Sequence, residues 1–326
     1  NAVYASANAS PIEISNLGDE AVTIIDTTLA VAGLNTLDGY TTGVVNASSV
    51  TTLTGAYSAL KTAYDAGTAG TISDLGNEAV TLSDTTLAAA DLNTLNGLTT
   101  GVVNAATVTT LTGTAAAANT AYDANTAGTI SGLGNEAITL TDTTLAASVL
   151  NTLDGNTTGV VNASTVTTLT GSLSDITAAY TANSAGTISG LADEAGTLTD
   201  TTVAASDLNT LDGNTSGVVN ASSVTTLTGS YTDVKAAYDA GTAGTISGLG
   251  DEAVTLSDTT LAVANLNTLN GETSGVVNAS SVTTLTGAYS ALSTAYTANT
   301  AGTISGLGDE AITLSDTTLA AADLNT

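Results

Sequence analysis

Cysteine, histidine, methionine, tryptophan and phenylalanine are all absent from this chain, and proline occurs once. Each absence excludes something. Without cysteine there is no disulfide framework. Without histidine or cysteine, the usual general bases and activated nucleophiles are missing. Without the large aromatic and thioether side chains, a globular core would lack most of its volume fillers. Leu, Val, Ile and Ala must fill the interior with ten tyrosines. That suits a thin core in which each coil packs only on its neighbours.

Positive charge is almost missing too. Lys61 and Lys235 face thirty acidic residues, for a net charge of −28. A chain this acidic repels nucleic acid and anionic membranes and attracts cations, divalent ones included. No stretch is apolar for long enough to span a bilayer, and no export signal is recognisable. Disorder is disfavoured, because 42% of the residues are apolar and only 10% are charged.

What the chain has is repetition. Gly-Thr-Ile recurs at Gly70, Gly128, Gly186, Gly244 and Gly302 with a constant 58-residue step, and Ile12-Glu13-Ile14 is a degenerate earlier copy. Five units run 12–69, 70–127, 128–185, 186–243 and 244–301. Residues 1–11 read as the tail of a preceding repeat, and 302–326 as a partial sixth that stops within an expected helix. The absence of methionine and of a polar terminal cap leads us to expect an excerpt of a longer protein, one continuous solenoid.

Each unit divides into two related coils of about 29 residues. In the unit beginning at Gly70, Ile72 to Leu75 and Ala79 to Leu82 have strand length and alternation. Asp84-Thr85-Thr86 reads as an N-cap, and Ala88, Leu92 and Leu95 mark one face of a short helix. Asn96-Gly97 is expected to close it, with the glycine left-handed. In the second coil Val102–Asn104 and Val108–Leu111 are strand candidates, and Gly113 breaks the chain. Ala115, Ala118 and Tyr122 then define a second helix, as do Tyr57, Leu60 and Tyr64, or Leu173, Ile176 and Tyr180.

The expected fold is therefore a parallel β-solenoid with short helices. Strands spaced about 4.8 Å apart and helices no closer than about 8 Å do not match in pitch. Placing the two helix types on opposite sides of the strands would remove the mismatch and account for a doubled period.

Catalytic motifs are missing: there is no P-loop, nucleophile elbow or dinucleotide fingerprint. We read the chain as non-enzymatic. Two carboxylate columns are candidate calcium ligands, because oxygen-rich arrays suit that ion. One is Glu20, Glu78, Glu136, Glu194, Glu252 and Glu310; the other is Asp26, Asp84, Asp142, Asp200, Asp258 and Asp316. The bland alternative is that the aspartates are caps and the glutamates are solvated turn residues. The Gly-Gly-x-Gly-x-Asp nonapeptide of calcium β-rolls does not occur.

Asn46, Asn104, Asn162, Asn220 and Asn278 form one asparagine column; Asn35, Asn93, Asn151, Asn209, Asn267 and Asn325 form another. Both are expected to build ladders between coils. Asn46, Asn162 and Asn220 also begin N-x-S sequons, which makes surface glycans candidate partners. Tyr64, Tyr122, Tyr180, Tyr238 and Tyr296 are expected to pack in the core. The Val-Thr-Thr-Leu-Thr phrases at Val50–Thr54 and Val108–Thr112 raise ice binding as a minor reading.

The phrases Glu78–Ala89, Leu92–Gly97 and Gly101–Ala105 resemble repeats in very large secreted and surface proteins of cyanobacteria and other aquatic bacteria. The resemblance spans nearly the whole chain. It implies an extracellular filament, fibre or stalk, or alternatively the spacer of a giant adhesin. Exposed strand edges at the ends of such a solenoid invite end-to-end self-association.

Overall fold

The computed structural model describes residues 18–320. The tail 1–11, the first residues of repeat 1, Asn325 and the end of the sixth repeat lie outside them. The described chain is an α/β solenoid of parallel strands and helices with a 58-residue period. It falls into two compact units, one of 18–142, 152–165 and 185–189, the other of 143–151, 166–184 and 190–320.

One repeat gives the plan. In order it contains β1 (Ile72–Ser73), β2 (Ala79–Leu82), β3 (Thr86–Ala88), α1 (Ala89–Leu98), β4 (Val103–Asn104), β5 (Thr110–Gly113) and α2 (Ala115–Ala127). The same positions recur in the other repeats, and these labels denote them throughout. β3 is not evident from sequence. It takes the Thr-Leu-Ala that the expected cap and helix start would have used, so α1 begins at Ala89, with Ala88 as its N-cap residue. Gly97 lies inside α1. The left-handed glycines stand instead at the end of α2. There Gly70, Gly128, Gly244 and Gly302 have φ between 80° and 85° and return their N–H to the last turn, as a glycine cap does.

The sheets are built across repeats. One five-stranded parallel sheet takes Thr86–Ala88 and Thr110–Gly113 from one repeat, Ala137–Leu140 and Val161–Asn162 from the next, and Ile188–Ser189 from the third. In position labels the order is β3, β5, β2, β4, β1. Leu87, Leu111, Ile138, Val161 and Ile188 form one continuous row, each no more than 6% exposed. The adjacent row, Ala88, Thr112, Thr139, Asn162 and Ser189, faces outward. The first unit holds two five-stranded sheets and a three-stranded one, and so does the second.

The helices do not alternate between two sides. Within each unit consecutive helices pack on one another: Val31–Asp38 on Tyr57–Ala69, and that on Ala89–Leu98 and so onward; in the second unit Ala205–Asn214, Tyr231–Ala243, Val263–Glu272 and Tyr289–Ala301 do the same. The expectation of opposite sides is wrong. The pitch mismatch is met by shear. Partners along the inner row are 24, 27, 23 and 27 residues apart, less than the mean coil length of about 29. Each coil therefore presents an earlier strand to the sheet, the row runs out after five strands, and no long sheet has to keep step with the helices. Alanines at 0% exposure, such as Ala63, Ala89 and Ala121, allow the close helix contacts.

Candidate functional site

The most elaborate polar arrangement is a buried cluster repeated once per unit. Glu78, in the β1–β2 turn, is fully buried, as are Glu136 and Glu252; Glu194 is 1% exposed and Glu310 9%. They are not solvated turn residues. A buried carboxylate requires hydrogen-bond donors, and here local backbone and a distant helix supply them. Gly76 N–H donates to Glu78 Oε2 at 2.9 Å, and the Tyr64 hydroxyl of the preceding α2 donates to the same oxygen at 3.3 Å. A third segment ties the main chain. The Thr99 hydroxyl, just after α1, donates to the Glu78 carbonyl at 2.6 Å and receives Gly101 N–H at 3.0 Å.

The pattern recurs. Tyr122, Tyr180, Tyr238 and Tyr296 donate to Glu136, Glu194, Glu252 and Glu310 at 2.9, 3.1, 3.2 and 2.8 Å. In the first repeat Gly18 N–H donates to Glu20, and backbone N–H groups hold that carboxyl below the ordinary carboxylate range. The tyrosines thus pack in the interior and also clasp the next coil. The clasp joins residues 14 apart, and its sequence signal is the unchanging Tyr–Glu separation from repeat to repeat.

Burial pushes the phenols up, to about 12 for Tyr180 and Tyr296; the nearby carboxylate adds to the shift. In the unfolded chain tyrosine ionises near pH 10. A raised folded pKa means that the folded state keeps protons the unfolded state loses, so the contribution is complete below about pH 10 and disappears as pH rises toward about 12. Urea midpoints measured between about pH 8 and 11.5 should therefore fall, and fall less steeply in Tyr180→Phe; equal slopes would contradict the assignment.

The aspartate column caps helices, but not those expected. Asp84 Oδ2 accepts from Tyr57 N–H at 2.8 Å, at the first residue of the preceding coil's α2. Asp142, Asp200, Asp258 and Asp316 accept likewise from Ala115, Leu173, Tyr231 and Tyr289 at 2.7 to 2.8 Å. Asp26 has no such bond among the described residues. A carboxylate 27 residues downstream thus satisfies an orphan donor and faces the positive end of the helix. Asp84→Ala should cost about 1 kcal/mol, with Asp84→Asn retaining most of the cap; a urea midpoint unchanged in Asp84→Ala would refute it.

Apart from Asp26, the members of both carboxylate columns are therefore held by protein donors, in separate places. Among the described residues no three metal-ligating side chains converge.

The asparagines do not stack on one another. Asn35, Asn93, Asn151, Asn209 and Asn267 donate from Nδ2 to a backbone carbonyl of the next helix, 24 residues on, at 2.8 to 2.9 Å. Their role between coils is real, but the partner is main chain. The Asn46, Asn104, Asn162, Asn220 and Asn278 carboxamides turn back to accept the N–H two residues on, the geometry of an Asx turn. Asn46, Asn162 and Asn220 keep this local turn within their sequons.

Val-Thr-Thr-Leu-Thr does not make a flat threonine array. Val50 and Leu53 are buried, the Thr51 hydroxyl donates to the Thr27 carbonyl, and the outward rows mix Thr with Ala, Asn and Ser. No helix among the described residues is long and apolar enough to cross a membrane. No family model, curated protein or solved structure matches the chain.

Proposed function

We propose that this chain is an extracellular structural repeat protein that forms a filament, fibre or stalk at or outside the cell surface. The supporting observation is the assembly of each five-stranded sheet from three successive repeats. Pulling one repeat away must break ladders in several sheets, in addition to the Tyr–Glu clasp and the Asp cap. Load is shared along the chain, as a mechanical element requires. The net charge of −28 keeps neighbouring filaments apart or lets divalent cations bridge them. The likeness of its phrases to large secreted bacterial repeat proteins supports the location, and short chains would self-associate end to end. Electron microscopy of native material should show long uniform fibres. Isolated short projections on cells would replace this reading with the adhesin spacer, which a non-repetitive terminal domain in the full gene would mark.

A further inference from the structure

One position in α2 varies between two residue types, and the structure shows what the difference does. Asn125, Asn183 and Asn299 occupy it in three repeats, Gly67 and Gly241 in two. Where asparagine is present, its carboxamide bridges α2 to the leucine of the β1–β2 turn. Leu191 N–H donates to Asn183 Oδ1 at 3.1 Å, and Asn183 Nδ2 donates to Leu191 O at 2.9 Å. Asn299 brackets Leu307 in the same way at 3.4 and 3.5 Å, and Asn125 accepts from Leu133 N–H at 3.2 Å.

The two glycine repeats differ from each other. At Gly67 the side chain of Leu75 takes up the space, so that an added Cβ would meet it at 3.7 Å. At Gly241 nothing lies within 4 Å of that point. An open cavity of about 350 Å³ is found there, lined by Tyr238, Thr242, Ser247, Leu249 and Glu272 among others. Leu249 N–H and C=O, the counterparts of the groups that Asn183 engages, make no hydrogen bond among the described residues. Glu272 is also particular to this repeat, since the equivalent residues are Tyr40, Leu98, Asn156 and Asn214.

Leu249 therefore brings a main-chain donor and acceptor to the lining of an open cavity, and the equivalent turns hold a carboxamide on both groups in two repeats and on the N–H in a third. We propose that the cavity at Gly241 binds a primary carboxamide, with its oxygen on Leu249 N–H and its NH₂ on Leu249 C=O. The chemistry is that of an Asn or Gln side chain of another polypeptide, or of a small free amide. A trans secondary amide does not fit, because its oxygen and N–H point to opposite sides. The Thr242 and Ser247 hydroxyls and the Glu272 carboxylate around the cavity offer further polar contacts to a larger ligand.

The test is an NMR titration of the full chain with acetamide, N-methylacetamide, and a short Asn-containing peptide alongside its Asp counterpart. Acetamide should shift the Leu249 and Gly250 amide signals over roughly the millimolar range expected of so small a ligand. N-methylacetamide should not, and the Leu191 and Leu307 signals should stay still as internal controls. Gly241→Asn, which installs the residue of the other repeats, should abolish the response. A greater response to the Asn peptide than to acetamide assigns the site to polypeptide side chains; an equal response assigns it to free amides. No shift at Leu249, or the same shift in Gly241→Asn, would overturn the proposal.

Discussion

Replacing Gly101 with alanine should lower stability by about 3 kcal/mol or more, the upper part of the range for overpacking. A Cβ at this position would overlap the carbonyl of Glu78 and stand 2.6 Å from the amide nitrogen of Ala79. Both are backbone, so no rotamer change relieves the clash. Gly43, Gly159, Gly217 and Gly275 meet the same obstacle at Glu20, Glu136, Glu194 and Glu252. The glycine is required because the chain after α1 crosses directly over the β1–β2 turn, where the Thr99 hydroxyl donates to the Glu78 carbonyl and accepts from Gly101 N–H. Gly97, four residues earlier, is a control: it lies in α1 with nothing within 4 Å of an added Cβ. Gly97→Ala should stabilise by about 0.5–1 kcal/mol. Urea denaturation of the two variants should therefore move in opposite directions. A neutral Gly101→Ala would show that the crossing is looser than the structure has it.

The second large effect is expected at Glu78. Truncation to alanine leaves the Tyr64 hydroxyl and Gly76 N–H without their acceptor and empties space in a sealed interior. The cost should be about 3 kcal/mol, from unsatisfied donors at about 1–3 kcal/mol each and the lost volume. Tyr64→Phe removes one donor and should cost about 1–2 kcal/mol. A double-mutant cycle should give a coupling of about 1 kcal/mol, because the second substitution removes a bond that the first has already broken. Strictly additive losses would mean that the 3.3 Å contact carries no energy.

The repeat period, the parallel solenoid and most of the buried row were legible from sequence, because repetition and apolar spacing are local signals. Leu92, Leu95, Leu111 and Val103 were identifiable on spacing alone, and all are fully buried. What was not legible depends on partners far along the chain. Glu78 sits in a polar Gly-Asn-Glu turn and is buried only because Tyr64 and Thr99 close over it from neighbouring segments. Asp84 stands just before an apolar helical pattern, which is why it reads as that helix's cap; its acceptor oxygen instead reaches Tyr57, 27 residues back. The packing of helices in one row within each unit is not legible in the sequence for a related reason. The pitch mismatch arises for a sheet in which each coil contributes the same strand, whereas pairing moves from β3 to β5, β2, β4 and β1 across three repeats.

That progression also restricts how the gene can change length. Every five-stranded sheet needs its strand types in order, and the two coils of a repeat supply different ones. Loss or gain of one whole repeat leaves every pairing intact with one storey fewer or more. Loss of a single coil would set two like coils side by side, so that β2 would meet a β1 where β4 belongs and β3 a β2 where β5 belongs, and both sheets crossing the junction would be a strand short. Recombination among the near-identical copies should therefore yield viable proteins only in whole repeats. Gene lengths in a population should be spaced by about 174 base pairs, three for each residue of the repeating unit.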